Sequence, residues 1–92
     1  MTKEQEKNEF DTGLLESTGH VLVLCNDEVN TINFVINALV EVCKHETHQA
    51  EQCAMITHFN GKCDVKHGEF DYLLGLKRTL VDMGLTAVVE KN

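Results

Sequence analysis

The chain has 92 residues, 42% of them hydrophobic, with a formal net charge of −7 and a pI near 5.0. That length suits one domain of the usual size, about 100–150 residues, and leaves no room for a second. Eight scattered lysines and arginines cannot supply the clustered cations that phosphate recognition needs, so no nucleic-acid partner is expected. No run of about 18 apolar residues is present to span a membrane.

Residues 1–19 carry five acidic and two basic side chains, with Phe10, Leu14 and Leu15 as their only large apolar groups. Too little surface can be buried there to offset ordering entropy, which predicts a flexible acidic extension ahead of a domain over residues 20–92. The charged start MTKEQEKNEF lacks the apolar segment of a signal peptide, so a reduced, cytoplasmic setting is expected for the four cysteines.

The run from His20 to Cys25 is continuously apolar, short and rich in β-branched residues, and it stops at Asn26-Asp27. It reads as a buried strand followed by a turn. Ile32, Val35, Ile36, Leu39 and Cys43 recur at helical spacing, which predicts a first helix from Thr31 to about Cys43 with Asn30 as its N-cap. A tight turn follows, then a second helix capped by Thr47 that carries Ala50, Cys53, Ala54 and Thr57 and ends near Asn60-Gly61. Lys62–Lys66 form a short strand. Beyond Gly68 the stripe Phe70, Leu73, Leu74, Leu80 and Val81 predicts a third helix, closed by Gly84 at positive φ, and Leu85–Val89 is a last β-branched strand. The order is therefore β-α-α-β-α-β, an α+β chain.

Five histidines and four cysteines raise the question of a metal, yet the cysteines stand at successive gaps of 18, 10 and 10 residues. Structural zinc uses closely spaced ligand pairs, and none exists here, so no metal or cofactor is expected. Cys25, Cys43 and Cys53 lie on predicted apolar faces, where cysteine packs as a small hydrophobe. His45 and His48 straddle a helix boundary and read as solvated. No nucleophile turn and no glycine-rich phosphate loop is present, so the chain is not expected to be an enzyme.

Two features point to binding. Asn26-Asp27-Glu28 presents side-chain oxygens where the first strand opens into a turn, and His58-Phe59-Asn60-Gly61 closes a helix that can lie beside that strand end. Three acceptors can then converge. Taken with Phe34-Val35 in the first helix, these motifs, in this order and at this spacing, resemble the ClpS family of Clp protease adaptors over residues 20–91.

The resemblance implies an α/β sandwich in which a three-stranded antiparallel sheet packs against three helices, as in the C-terminal domain of ribosomal protein L7/L12. It implies a monomeric adaptor that binds N-degrons, meaning proteins with a bulky hydrophobic first residue. The adaptor delivers them to the N-terminal domain of a ClpA- or ClpC-like AAA+ unfoldase working with the ClpP protease. By the same resemblance Asn26, Asp27 and His58 hold the α-amino group, and Ile32, Val35, Ala54 and Leu85 form the pocket for the first side chain. The alternatives are a generic protein-interaction domain indifferent to the terminal amine and a small metal-binding protein.

Departures from the family pattern concern the pocket and the docking face. The usual Thr-Pro-Met appears as Asn30-Thr31-Ile32, and a common Met of the second helix appears as Ala54, which reshapes the pocket. The segment between Gly61 and Leu85 is shorter than usual and lacks the Glu-Thr-Lys stretch of the third helix, part of the family's unfoldase-docking surface.

Overall fold

The computed structural model describes residues 19–92, whose elements are β1 (His20–Cys25), α1 (Ile32–Cys43), α2 (Thr47–Asn60), β2 (Lys62–Gly68), α3 (Phe70–Asp82) and β3 (Thr86–Lys91). This is the expected order. The predicted acidic extension lies outside the described residues except for Gly19, whose carbonyl accepts from the Asn92 N–H at 2.8 Å.

The three strands form one antiparallel sheet in the order β2-β1-β3. β1 takes the centre because it is apolar on both faces, and Val21 to Leu24 are all buried. The flanking strands bury less: Val65 in β2 is buried between exposed Asp64 and half-buried Lys66, and Ala87 in β3 is buried between exposed Thr86 and Val88, as suits strands with one face in water. Leu22 and Leu24 meet Ala38, Leu39 and Cys43 of α1, Ala50 of α2, and Leu73 and Leu80 of α3 in a single core. The inward side of α2 is built from Ala50, Ala54 and Thr57, small residues that bring its backbone close to its neighbours. Among the described residues no helix is long and apolar enough to cross a membrane.

Several local expectations are corrected. Thr31, not Asn30, caps α1: its hydroxyl accepts from the Phe34 N–H at 3.0 Å. Asn30 is engaged elsewhere, as described below. Thr47 is the first residue of α2, and Glu46 ahead of it makes no side-chain cap bond. β2 runs on to Gly68, and β3 starts at Thr86 and ends at Lys91. In α3 only Leu73 and Leu80 of the predicted stripe are fully buried, while Phe70 and Val81 are each 45% exposed. A helix turns about 100° per residue, which carries both to the edges of the stripe. Cys43 is buried as expected, but Cys25 and Cys53 are only half-buried.

His45 is the clearest reversal. Rather than solvated, it is 5% exposed, and its Nε2 lies 2.7 Å from the carbonyl of Val65. Lys44 adopts a left-handed conformation, φ 60, at the end of α1. The chain then folds back so that the next side chain points onto β2. The imidazole thus ties the α1–α2 turn to the sheet. His48, by contrast, is exposed as expected.

The corrected cap yields a measurable expectation. Thr31→Ala leaves one N–H of the first turn without its side-chain acceptor and lowers stability by about 1 kcal/mol, read as a lower urea midpoint at unchanged slope. An unchanged midpoint would mean that the cap contributes nothing.

Candidate functional site

The C-terminal end of β1 is joined to the end of α2 by a bond from the Asn26 N–H to the carbonyl of Gly61, at 2.8 Å. Gly61 terminates α2 at φ 97, a left-handed conformation in which glycine carries no Cβ penalty. This junction brings residues far apart in sequence to one place. Ala54, Thr57 and His58 lie one turn apart along α2 and so share a face. Ile32 and Val35 share a face of α1 for the same reason.

All seven residues singled out from the sequence, Asn26, Asp27, Ile32, Val35, Ala54, His58 and Leu85, line one surface cavity that opens to solvent. Exposure grades across it. Asn26 and His58 are exposed and Asp27 is half-buried, whereas Ile32 and Val35 are half-buried and Ala54 and Leu85 are buried. Polar acceptors therefore stand at the rim and hydrocarbon lies beneath. His58 is also in edge-on contact with the ring of Phe59, their centroids 4.8 Å apart.

Asp27 is the fixed charge of this rim. Its Oδ1 accepts from the N–H groups of Val29 at 2.9 Å and Asn30 at 2.8 Å, and its Oδ2 accepts from the Asn30 side-chain amide at 3.0 Å. The Asn30 N–H lowers the carboxyl's pKa most. Burial works in the opposite direction, and the Asn30 amide and the Val29 N–H lower it further. The group is thus an anion throughout the neutral range. With two bonds Oδ1 is saturated, so Oδ2 is the oxygen with a lone pair to offer an incoming donor.

Four further residues line the cavity and escaped the sequence reading: Leu24, Cys25, Asn30 and Thr57. Thr57 was recoverable, since it stands three residues after Ala54 on the same helical face. Its hydroxyl donates to the Cys53 carbonyl at 2.8 Å. Leu24 and Cys25 close the strand that leads into the acidic turn, and strand alternation alone does not reveal which of them borders a cavity. Asn30 reads from the sequence as a helix cap.

Two of the cysteines, Cys43 and Cys63, offer little nucleophilic chemistry. Burial pushes the Cys43 thiol up to about 11. Burial, the hydrogen bond and charge of neighbouring Cys53, and the charge of Asp64 push Cys63 up to about 12. Both are thiols at neutral pH, and the thiolate is the reactive form. Among the described residues no group of three or more His, Cys, Asp or Glu side chains is placed to hold a metal ion.

A comparison with curated proteins gave no match. Among solved structures, the chain is similar to that of Agrobacterium tumefaciens ClpS2 bound to L-phenylalaninamide, at 21% identity and a TM-score of 0.79, covering 83% of this chain and 99% of that one. At that identity the likeness establishes the fold, a ClpS-like α+β sandwich. The family described as ATP-dependent Clp protease adaptor protein ClpS matches residues 16–87, most of the chain, and the protein belongs to that family.

Proposed function

We propose that the protein is an N-end-rule adaptor: it grips the free amino terminus of proteins whose first residue is large and hydrophobic, and delivers them to a Clp-type AAA+ unfoldase. The observation that carries this reading is the single cavity in which Asn26, Asp27 and His58 adjoin Ile32, Val35, Ala54 and Leu85. An α-ammonium has three donors. The amide oxygen of Asn26, Oδ2 of Asp27 and a neutral imidazole nitrogen of His58 offer one acceptor each. Bonds to the carboxylate are charge-assisted and about twice as strong as neutral ones.

Selectivity has two sources. An acetylated terminus or an internal residue brings no charge and too few donors, and leaves Asp27 desolvated without compensation, at a cost of about 1–3 kcal/mol. Beneath the rim, burial of a Leu or Phe side chain contributes about 1.5–3 kcal/mol and ranks such residues above polar ones. The similarity to a ClpS2 bound to L-phenylalaninamide, a molecule with a free amine and a benzyl side chain, supports both halves.

Membership of an adaptor family supports, as part of the same proposal, delivery to an unfoldase with a ClpA- or ClpC-like N-terminal domain, action as a monomer and a role without catalysis. The segment between Gly61 and Leu85, which the sequence reading takes as shorter than the family pattern and which contains α3, is the part of the chain that would adapt to its particular partner.

Fluorescence anisotropy of labelled peptides differing only in their first residue tests the reading. Binding is expected for free Phe and Leu termini, and to be weakened on acetylation or with Ala or Ser in first place. Equal binding by every peptide would identify a protein-interaction domain blind to the terminus.

A further inference from the structure

Asn30 lines the cavity, yet it belongs neither to the amine contacts nor to the apolar wall. Its side-chain amide donates to Asp27 Oδ2 at 3.0 Å and to the Gly84 carbonyl at 2.9 Å, a link across 54 residues of sequence. Both partners are pure acceptors, so the amide nitrogen must face them, and both of its N–H groups are engaged. The backbone N–H of Asn30 adds a third link, to Asp27 Oδ1 at 2.8 Å. Gly84 holds φ 92 directly ahead of Leu85, the buried residue that walls the cavity from the β3 side.

We propose that Asn30 is a positioning residue for terminus recognition, a clamp that sets the Asp27 carboxylate and the Leu85 wall in one fixed relation. This deepens the adaptor reading and rests on it. Oδ1 of Asp27 already accepts two N–H groups, so an ammonium must use the remaining lone pair of Oδ2. The bond from Asn30 to that same oxygen fixes where the lone pair points. The second N–H of the amide holds the chain that carries Leu85. Removing the side chain leaves the carboxylate held through Oδ1 alone, by the Val29 and Asn30 N–H groups, and unties the wall, so amine recognition and side-chain recognition weaken together, although Asn30 itself forms neither contact.

The test compares wild type with Asn30→Ala and with Asn30→Leu, which keeps nearly the same shape without donors. Each is titrated with three labelled peptides: a free Phe terminus, the same peptide acetylated, and a free Ala terminus. Thermal melting accompanies every titration. Both variants are expected to bind the free Phe peptide about 5- to 10-fold more weakly, as fits the loss of a single net hydrogen bond's worth of positioning. Both the free-to-acetylated ratio and the Phe-to-Ala ratio should shrink. Folded variants with wild-type ratios, including any whose only change is a lower melting temperature, overturn the clamp and leave the adaptor reading intact. A wild-type chain that binds free and acetylated peptides alike removes both.

Discussion

Asp27→Asn is expected to reduce binding of a free Phe-terminated peptide by about 10- to 150-fold, the range set by hydrogen bonds to charged groups at about 1.5–3 kcal/mol. Binding of the acetylated peptide should barely change. The substitution is nearly isosteric, so one side-chain oxygen can still accept from the Val29 and Asn30 N–H groups that shape the turn. What changes is the other atom. An NH2 replaces Oδ2, opposes the Asn30 amide that now donates to it at 3.0 Å, and offers an ammonium neither charge nor lone pair. The diagnostic is the free-to-acetylated ratio, which should fall toward one. A variant that keeps the wild-type ratio would place the amine elsewhere than at Asp27.

The same carboxylate sets an acid limit. Its pKa in the folded chain is lowered, chiefly by the Asn30 N–H, from an ordinary value of 3.8. A depressed carboxyl contributes stability that is fully present above the unfolded value and lost as pH falls through the folded one. The turn therefore keeps its charge above the ordinary carboxyl range and loses it as pH falls through the lower, folded value. The Asp27 side-chain carboxyl resonance, followed by NMR, should titrate below 3.8; a midpoint above that value would contradict the hydrogen-bond pattern.

Much of the fold was legible because it rests on local patterns. The continuous apolar run of β1 announced a strand buried on both faces, and the period of α1 announced its inward side. Local pattern fails where a tertiary partner decides between equal candidates. Asn30 and Thr31 can each cap a helix, and nothing nearby ranks them. The choice is made by Asp27 and Gly84, which engage the Asn30 amide and leave Thr31 to serve the first turn. His45 reads as a polar residue at a helix end, and its burial depends on Lys44 turning left-handed and on the Val65 carbonyl awaiting its ring. The site divides in the same way. Periodicity can pair Ala54 with His58, but no periodicity relates either to Asn26, which reaches them only through the bond to Gly61. Those residues were found as spaced motifs of a family, and Asn30, whose role lies in long-range bonds, was not.

The apolar half of the cavity can be removed without touching the amine. Ala54 is 3% exposed on α2, one turn before His58, and lines the cavity. Ala54→Phe is expected to fill that space with the protein's own ring. A first residue of Phe or Leu then loses its burial, worth about 1.5–3 kcal/mol, and peptides beginning with Phe or Leu bind about 10- to 150-fold more weakly, converging on a peptide that begins with Ala. Acetylation should still weaken what binding remains, because Asn26, Asp27 and His58 are untouched. Overpacking costs about 1–3 kcal/mol of stability, so a melt accompanies the titration, and Ala54→Met gives a milder, graded filling in case the phenyl is not tolerated. In that series the largest first residues should be rejected first. Asp27→Asn and Ala54→Phe thus remove opposite halves of one preference, one indifferent to acetylation and the other indifferent to side-chain size. If Ala54→Phe folds and still prefers Phe over Ala, the first side chain does not enter this cavity, and Asn26, Asp27 and His58 then lie beside a hollow with no part in selection.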